Sequence, residues 1–323
     1  MTAAVPSPDR STGCLLGLAL GDVLGAPWEG GLVERWVWRL IGRTRTGARR
    51  YTDDTRMALD LAGSLLACGG LDQADLAARF AASYHFSRGY GPGAARLLRR
   101  IRAGLPWREA SRSVYPEGSF GNGGAMRAPV LALWFWPDRA ALIAAARQSA
   151  EITHAHPLGQ EGAVLIAIAT AETLAGESRA AVLESVAQCA LADAYQRRIA
   201  QARKWLVESA EVAPAQVCAV LGTGITAPQS CISALYLALR FRDLPYLDMV
   251  HFVRACGGDV DTVGAMAGAL WGAARGAAAL PQAELAAVED IDLLRSTAAA
   301  LHAAAAAAAG AATPGPPPES GRR

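Results

Sequence analysis

The apolar pattern of this 323-residue chain is that of an all-α protein, one compact domain of a dozen or so helices with glycine-rich loops between them. Three observations carry this reading. Apolar residues recur at three- and four-residue spacing through most of the chain, stretches of strand-like alternation are few, and small residues crowd the most apolar helical runs. With 52% hydrophobic and 19% charged residues, neither disorder nor a fibrous class suits the bulk of the sequence. A net charge of +2 gives no general drive toward nucleic acid or acidic membranes, so any partner must be recognised at a local site. The six cysteines form no C-x-x-C pair and mostly sit in apolar helical patterns, as free thiols of a reducing compartment do. No basic segment leads into a clean apolar run near the start, and no span of about 20 residues is strongly apolar. The expectation is a cytoplasmic protein, monomeric, with no membrane and no sequence-specific nucleic-acid partner.

Taken in order, residues 1–10 are polar with two prolines and are expected to be a loose tail, so that the domain spans 11–309. GCLLGLALGDVLGAPWEG then reads as a helix through Leu20 whose repeated glycines admit a second helix at close range. Asp22 is an acid at the end of that helix, better suited to holding a neighbouring loop than to catalysis. Glu29 follows Pro27 and Trp28 in a glycine-rich loop, either solvated or aimed into a cleft. A basic, irregular stretch from Gly42 to Arg50 leads into YTDDTRMALDLAGSLLACGG, where Thr52 or Asp53 is the N-cap and Met57, Leu61 and Leu65 begin an apolar stripe.

Two or three amphipathic helices fill Gly70 to Ala110, broken by the Arg88–Gly93 loop; Arg96, Arg99, Arg100 and Arg102 read as a solvated face. EGSFGNGGAMRAPVLALWFW crowds glycines ahead of a helix, a place where backbone N–H groups form a nest for phosphate, although the Gly-Lys-Ser/Thr ending of a Walker motif is missing. His154 and His156 stand between two helices. Their i, i+2 spacing and the lack of HExxH argue against zinc, and one is expected to reach a ligand while the other holds the loop. Gly224, Ile225 and Thr226 precede a buried helix and are placed to line a cleft. After the helix that starts near Val263 and runs to about Gly276, a last helix is expected over 284–309, followed by a Pro/Gly-rich segment expected to be disordered.

Two acidic stretches carry the chemistry. Thr52-Asp53-Asp54-Thr55 and Asp259-Val260-Asp261-Thr262 each place two carboxylates and a hydroxyl at a helix start, where one carboxylate suffices as a cap. No Lys or Arg lies between Cys256 and Trp271 to neutralise the later pair. The alternative is a cap plus a solvated acid, but two such sets supply hard oxygen ligands and no soft ones, the donor set of magnesium, manganese or calcium rather than zinc.

GDVLGAPWE, YTDDTRMA, GSFGNGGAMR, THAHPLG and GGDVDTVGAMAGA, in this order, resemble the ADP-ribosylglycohydrolase family, also called ADP-ribosyl-acceptor hydrolases. The RGYGPG loop and the GNGGAMR form are most similar to the branch that acts on serine-linked ADP-ribose and poly(ADP-ribose). The resemblance implies an all-α fold with a binuclear magnesium centre held by Thr52, Asp53, Asp54, Asp259, Asp261 and Thr262. It implies further that Glu29 stands near the scissile bond, and that Gly118, Ser119, Gly121, Asn122 and His154 bind the diphosphate and adjoining ribose. Phe120 matches an aromatic that stacks on adenine, and Ile225 a residue near the ribose. Val260 departs from the family pattern, in which Thr or Ser is common.

The expected reaction is hydrolysis at the anomeric carbon of the distal ribose, with Glu29, Asp54 or Asp261 positioning or deprotonating water. Two ions, magnesium or manganese, would orient the sugar. Other readings are an arginine- or nucleobase-linked ADP-ribose hydrolase, a two-metal phosphoester or pyrophosphate hydrolase, and a non-catalytic ADP-ribose binder.

Overall fold

Helix boundaries follow the local caps, and the resulting chain is all-α in this computed structural model, which describes residues 5–208 and 211–311. The helices are α1 (Pro8–Gly25), α2 (Leu32–Ile41), α3 (Asp53–Cys68), α4 (Gln73–Ser83), α5 (Pro92–Arg102), α6 (Trp107–Ser113), α7 (Pro129–Phe135), α8 (Arg139–Glu151) and α9 (Pro157–Leu174). They continue with α10 (Arg179–Cys189), α11 (Asp193–Val207), α12 (Pro214–Val220), α13 (Ala227–Arg240), α14 (Tyr246–Cys256), α15 (Val260–Arg275), α16 (Gln282–Ala286) and α17 (Ile291–Ala311). Three isolated bridges are the only β-type pairings among the described residues. The single all-α domain expected from the sequence is thus observed.

Side-chain caps explain several starts. Thr52 caps α3 by accepting from Asp54 N, Asp72 caps α4 by accepting from Ala74 N and Asp75 N, and His156 caps α9 through Nδ1. Two boundaries depart from expectation. Ser7 caps α1 with proline just inside the helix, so Pro8, Asp9 and Arg10 are helical rather than part of a loose tail, and α1 runs past Leu20 to Gly25. The last helix divides in two at Asp290, which takes a left-handed φ of 53° as the strand-like pairing of Arg49 with Val288 turns the chain. Residues 310 and 311 continue α17, while the rest of the expected tail, 312–323, and residues 1–4 lie outside the described residues.

α1 and α15 form the frame of the molecule. They lie antiparallel with glycine against glycine: Gly13 meets Gly272, Gly17 meets Gly268 and Gly21 meets Gly264, each so close that a Cβ would strike the facing carbonyl oxygen. Every one of these glycines is buried, and α13 and α9 also pack against α15. The four-residue repeat keeps one face of each helix bare, which is the close approach the α1 glycines predict. At the end of this contact a Cβ on Gly25 would stand 2.5 Å from Asp261 Cα. The register therefore brings the C-terminus of α1, with Asp22 and the Glu29 loop beyond it, against the acidic start of α15. In contrast α2 buries no residue, and Leu32, Val33, Trp36 and Leu40 are exposed along it.

Candidate active site

A cavity of about 370 Å³ opens where the starts of α3 and α15 converge with the Glu29 and 118–124 loops. One end is acidic. Asp22, fully buried, accepts hydrogen bonds from Thr52 N at 3.0 Å, Thr55 N at 3.1 Å and Thr55 Oγ1 at 2.6 Å. It thereby holds the first turn of α3 from another helix, the loop-holding role expected of it, and aims Asp53 and Asp54 into the cavity. The Thr262 hydroxyl donates to Asp54 Oδ2 at 3.3 Å, which joins motifs 208 residues apart. Glu29, Asp259 and Asp261 each bring a carboxylate oxygen within 4.8 Å of the others.

No Lys or Arg is among the residues lining this cavity, so five carboxylates converge without a protein cation. Burial, the neighbouring charges on Glu29, Asp54 and Asp259, and the hydrogen-bonded Glu29 carboxyl hold Asp261 well above the usual carboxylate range. Burial and the charges of Asp22, Asp53 and Asp259 do the same for Asp54, and burial with Glu29 and Asp22 for Asp53. Glu29 is raised to about 6, mainly by burial, and Asp22 to about 6 by burial against the pull of its Thr55 and Thr52 hydrogen bonds. Asp54 Oδ1 is buried with no hydrogen-bond partner, the kind of orphaned acceptor a cation satisfies.

The other end is made of neutral donors. The 118–122 loop is stitched to 223–227: Asn122 N donates to Ile225 O and Ala227 N to Phe120 O, both at 3.0 Å. Gly121 N donates to Ser119 Oγ at 3.2 Å. The N–H groups of Gly121 and Asn122 are therefore taken up within the protein, so the expected backbone nest is not built from them. Gly118, at φ 83°, packs against Ala155 and His156. The ring of His154 lies on Gly121 and Gly123, with Nε2 3.1 Å and 3.0 Å from where their Cβ atoms would stand. Burial and the charge of Arg127 depress His154 to about 3, so the ring is neutral.

Of the residues singled out from the sequence, Glu29, Asp53, Asp54, Ser119, Gly121, Asn122, His154, Ile225, Asp259, Asp261 and Thr262 line the cavity. Three do not. Thr52 is buried behind Asp54, its hydroxyl donating to Asp54 Oδ2 at 3.0 Å; Gly118 serves the turn; and Phe120 stands 46% exposed outside the wall, its ring 5.4 Å from that of His156. Asn122 is a wall residue whose amide is committed, donating to Asp259 Oδ2 at 2.6 Å and to Ser230 Oγ at 3.0 Å, so it orients an acid as well. His156 holds the loop and His154 faces the cavity, the division expected of the pair. Val260 packs into the core and takes no part in the wall.

Sequence reasoning missed the apolar side of the cavity, made by Met57, Leu97, Val114, Tyr115 and Met126 together with the 89–94 turn. The glycines of RGYGPG were the available signal. That turn is tied down by Arg88, which pairs with Glu289 at 2.6 Å and donates to Tyr51 O at 2.8 Å. The arginines of α5 are not simply solvated: Arg102 donates to Ala81 O and Tyr84 O, and Arg100 to Ser113 O.

An all-α domain with an acid-lined cavity and neutral donors at its other end has the donor set of a cation-assisted site for a polar ligand. The model of the ADP-ribosylglycohydrolase family matches residues 4–311, and the chain belongs to that family. It is a glycosyl hydrolase acting on ADP-ribose conjugates. ADP-ribosylhydrolase ARH3 of Bos taurus is 35% identical over 93% of this chain and 94% of its own, and ARH3 of Homo sapiens 33% identical over the same shares. The uncharacterised protein YegU of Escherichia coli is 32% identical over 90% of this chain and 96% of its own. A solved structure described as an ADP-ribosylglycohydrolase-related protein complex superposes with a TM-score of 0.70 at 28% identity, covering 92% of this chain and 98% of that one. The resemblance read from the motifs is thereby borne out.

Proposed function

We propose that this protein is a magnesium-dependent hydrolase that cuts the glycosidic bond at the anomeric carbon of the distal ribose. It would release ADP-ribose from serine-modified protein, from poly(ADP-ribose) or from O-acetyl-ADP-ribose. The observation that carries the reading is the meeting of the two acidic motifs in one cavity, through Thr262 and Asp54, with Glu29 gathered beside Asp259 and Asp261 there. The branch is supported by the ARH3 relatives and by the RGYGPG turn, which lines the cavity beside Asp53.

The donors fit hard divalent cations: all are oxygens, the carboxylates lack a protein counter-charge, and Asp54 Oδ1 is unpartnered. Asp53, Asp54, Asp259, Asp261 and Thr262 would hold two magnesium ions, with manganese suited to the same set and Thr52 bracing Asp54 from behind. When bound, the ions supply electrophilic stabilisation at the ribose hydroxyls. Glu29 is the base: partly buried and at the edge of the cluster, beside Asp259 and Asp261, it is placed to take the proton of the attacking water. The carboxylates around it favour the positive charge that develops at the anomeric carbon. Ser119 and His154 bind the diphosphate and adjoining ribose, and Phe120 and Ile225 on the rim contact the adenine side, adding binding energy remote from the reacting bond.

The test is a panel of serine-linked, arginine-linked and polymeric ADP-ribose substrates with magnesium and with EDTA. ADP-ribose released from the serine-linked or polymeric substrate, and lost with EDTA, is the expected result. Formation of AMP would move the reaction to the diphosphate, release from the arginine-linked substrate alone would move it to another branch, and calorimetric binding without turnover would reduce the protein to a binder.

A further inference from the structure

Arg127 is the bulkiest fully buried side chain among the described residues, and no carboxylate pairs with it there. Its guanidinium lies 4.7 Å from the Phe80 ring centroid and donates to Gly123 O at 2.6 Å, Ser149 O at 2.8 Å and Thr153 Oγ1 at 2.9 Å. A buried cation without a counter-ion is costly, and these carbonyl and hydroxyl acceptors, Ser149 Oγ at 3.4 Å among them, with an aromatic face offset that cost only in part. Its position is informative. Gly123 belongs to the turn under the His154 ring, and Thr153 precedes His154.

A guanidinium has donors and no acceptor, so the Thr153 oxygen must accept from it. The second partner of that hydroxyl is His154 Nδ1 at 2.8 Å. That oxygen has a second lone pair, but if it accepted from Nδ1–H as well its own hydrogen would have no acceptor among the described contacts; the hydroxyl hydrogen therefore points to Nδ1, which accepts and carries no proton. We propose that Arg127 is a positioning residue that acts through Thr153 to fix His154 as the neutral tautomer protonated at Nε2. The cavity beside Gly121 and Gly123 then meets one fixed N–H donor, neither an acceptor nor a cation, and this subsite selects an acceptor oxygen on its ligand. That the oxygen belongs to ADP-ribose rests on the function proposed above; the tautomer does not.

The test is two-dimensional NMR of the imidazole nitrogens in the full chain labelled with 15N-histidine, at pH 7, with ADP-ribose affinity measured alongside by calorimetry. Wild type is expected to show the Nε2–H pattern for His154. Thr153→Val, close in shape but with no hydroxyl, is expected to lose that single pattern and to weaken ADP-ribose binding about tenfold, while Thr153→Ser restores both. Arg127→Lys retains the charge without the fork and is expected to loosen the tautomer preference in the same direction. An Nδ1–H or doubly protonated His154 in wild type, or an unchanged pattern in folded Thr153→Val, overturns the proposal. A wild-type Nε2–H pattern in a protein that fails to bind ADP-ribose supports the positioning and overturns the ligand assignment instead.

Discussion

The two ends of the cavity are unbalanced in opposite ways. At the α3–α15 end five carboxylates face the space with no protein cation; at the 118–124 end a cation, Arg127, is buried with no protein anion. The acid end leaves its imbalance exposed to the ligand, and the donor end hides its own behind Thr153, Ser149 O and Gly123 O. One end therefore calls for metal, and the other presents a neutral, directional donor to an anionic ligand. A cationic lining there would bind anions more strongly but would compete with the acid end for its counter-charge.

The largest expected effect comes from breaking the acid end. Asp261→Asn should lower kcat/KM for ADP-ribose release by on the order of a thousandfold or more, while raising the melting temperature of the metal-free protein because the carboxylate repulsion is relieved. Activity near wild type in that variant would remove the distinction between the two ends.

Next is the frame that aims α3. Asp22→Ala strands Thr52 N, Thr55 N and the Thr55 hydroxyl in a buried place and should cost about 3 kcal/mol in denaturant unfolding. Asp22→Asn, which keeps one oxygen acceptor, should cost less; equal losses would show that the charge of Asp22 rather than its hydrogen bonds does the holding.

The pH dependence sharpens the same contrast. Glu29 and Asp22 titrate at about 6 in the fold, above their ordinary values, so the stability they contribute is present below about pH 4 and lost as pH rises through 6. Asp53, Asp54 and Asp261 act in the same direction. His154, depressed to about 3, acts in the opposite one, contributing stability above its ordinary value and losing it as pH falls. Subtracting the metal-free melting temperature from that in saturating magnesium cancels the histidine. The difference should be larger at pH 7 than at pH 5, and a difference that shrinks with pH would contradict an acid end built for cations.

The smallest effect is on the rim. Phe120→Ala should raise KM about tenfold through lost base stacking and leave kcat unchanged.

Much of the fold was legible because its signals are local. Thr52 announces the start of α3 within a few residues, and the α1 glycines announce a close neighbour without saying which. The break at Asp290 gave no signal, since its left-handed conformation is imposed on a non-glycine residue by the Arg49 pairing. Within the site, paired carboxylates at helix starts were visible as chemistry in excess of capping. Arg127 was not, because a buried arginine held by carbonyls looks in sequence like any arginine at the start of a helical run. Asn122 was read as a ligand contact; its bond to Asp259, 137 residues away, lies beyond any local pattern.

By itself the sequence determined an all-α chain, the start of α3 and the presence of two oxygen-rich acidic motifs, since helix capping and apolar periodicity act over a few residues. Only the tertiary structure decided that Asp54 and Thr262 meet, and that Thr153 turns His154 toward the cavity as a single donor. Those outcomes depend on the register at which the bare glycine faces of α1 and α15 lock together and on which buried acceptors Arg127 reaches. Both are set by close contact between segments that are far apart along the chain.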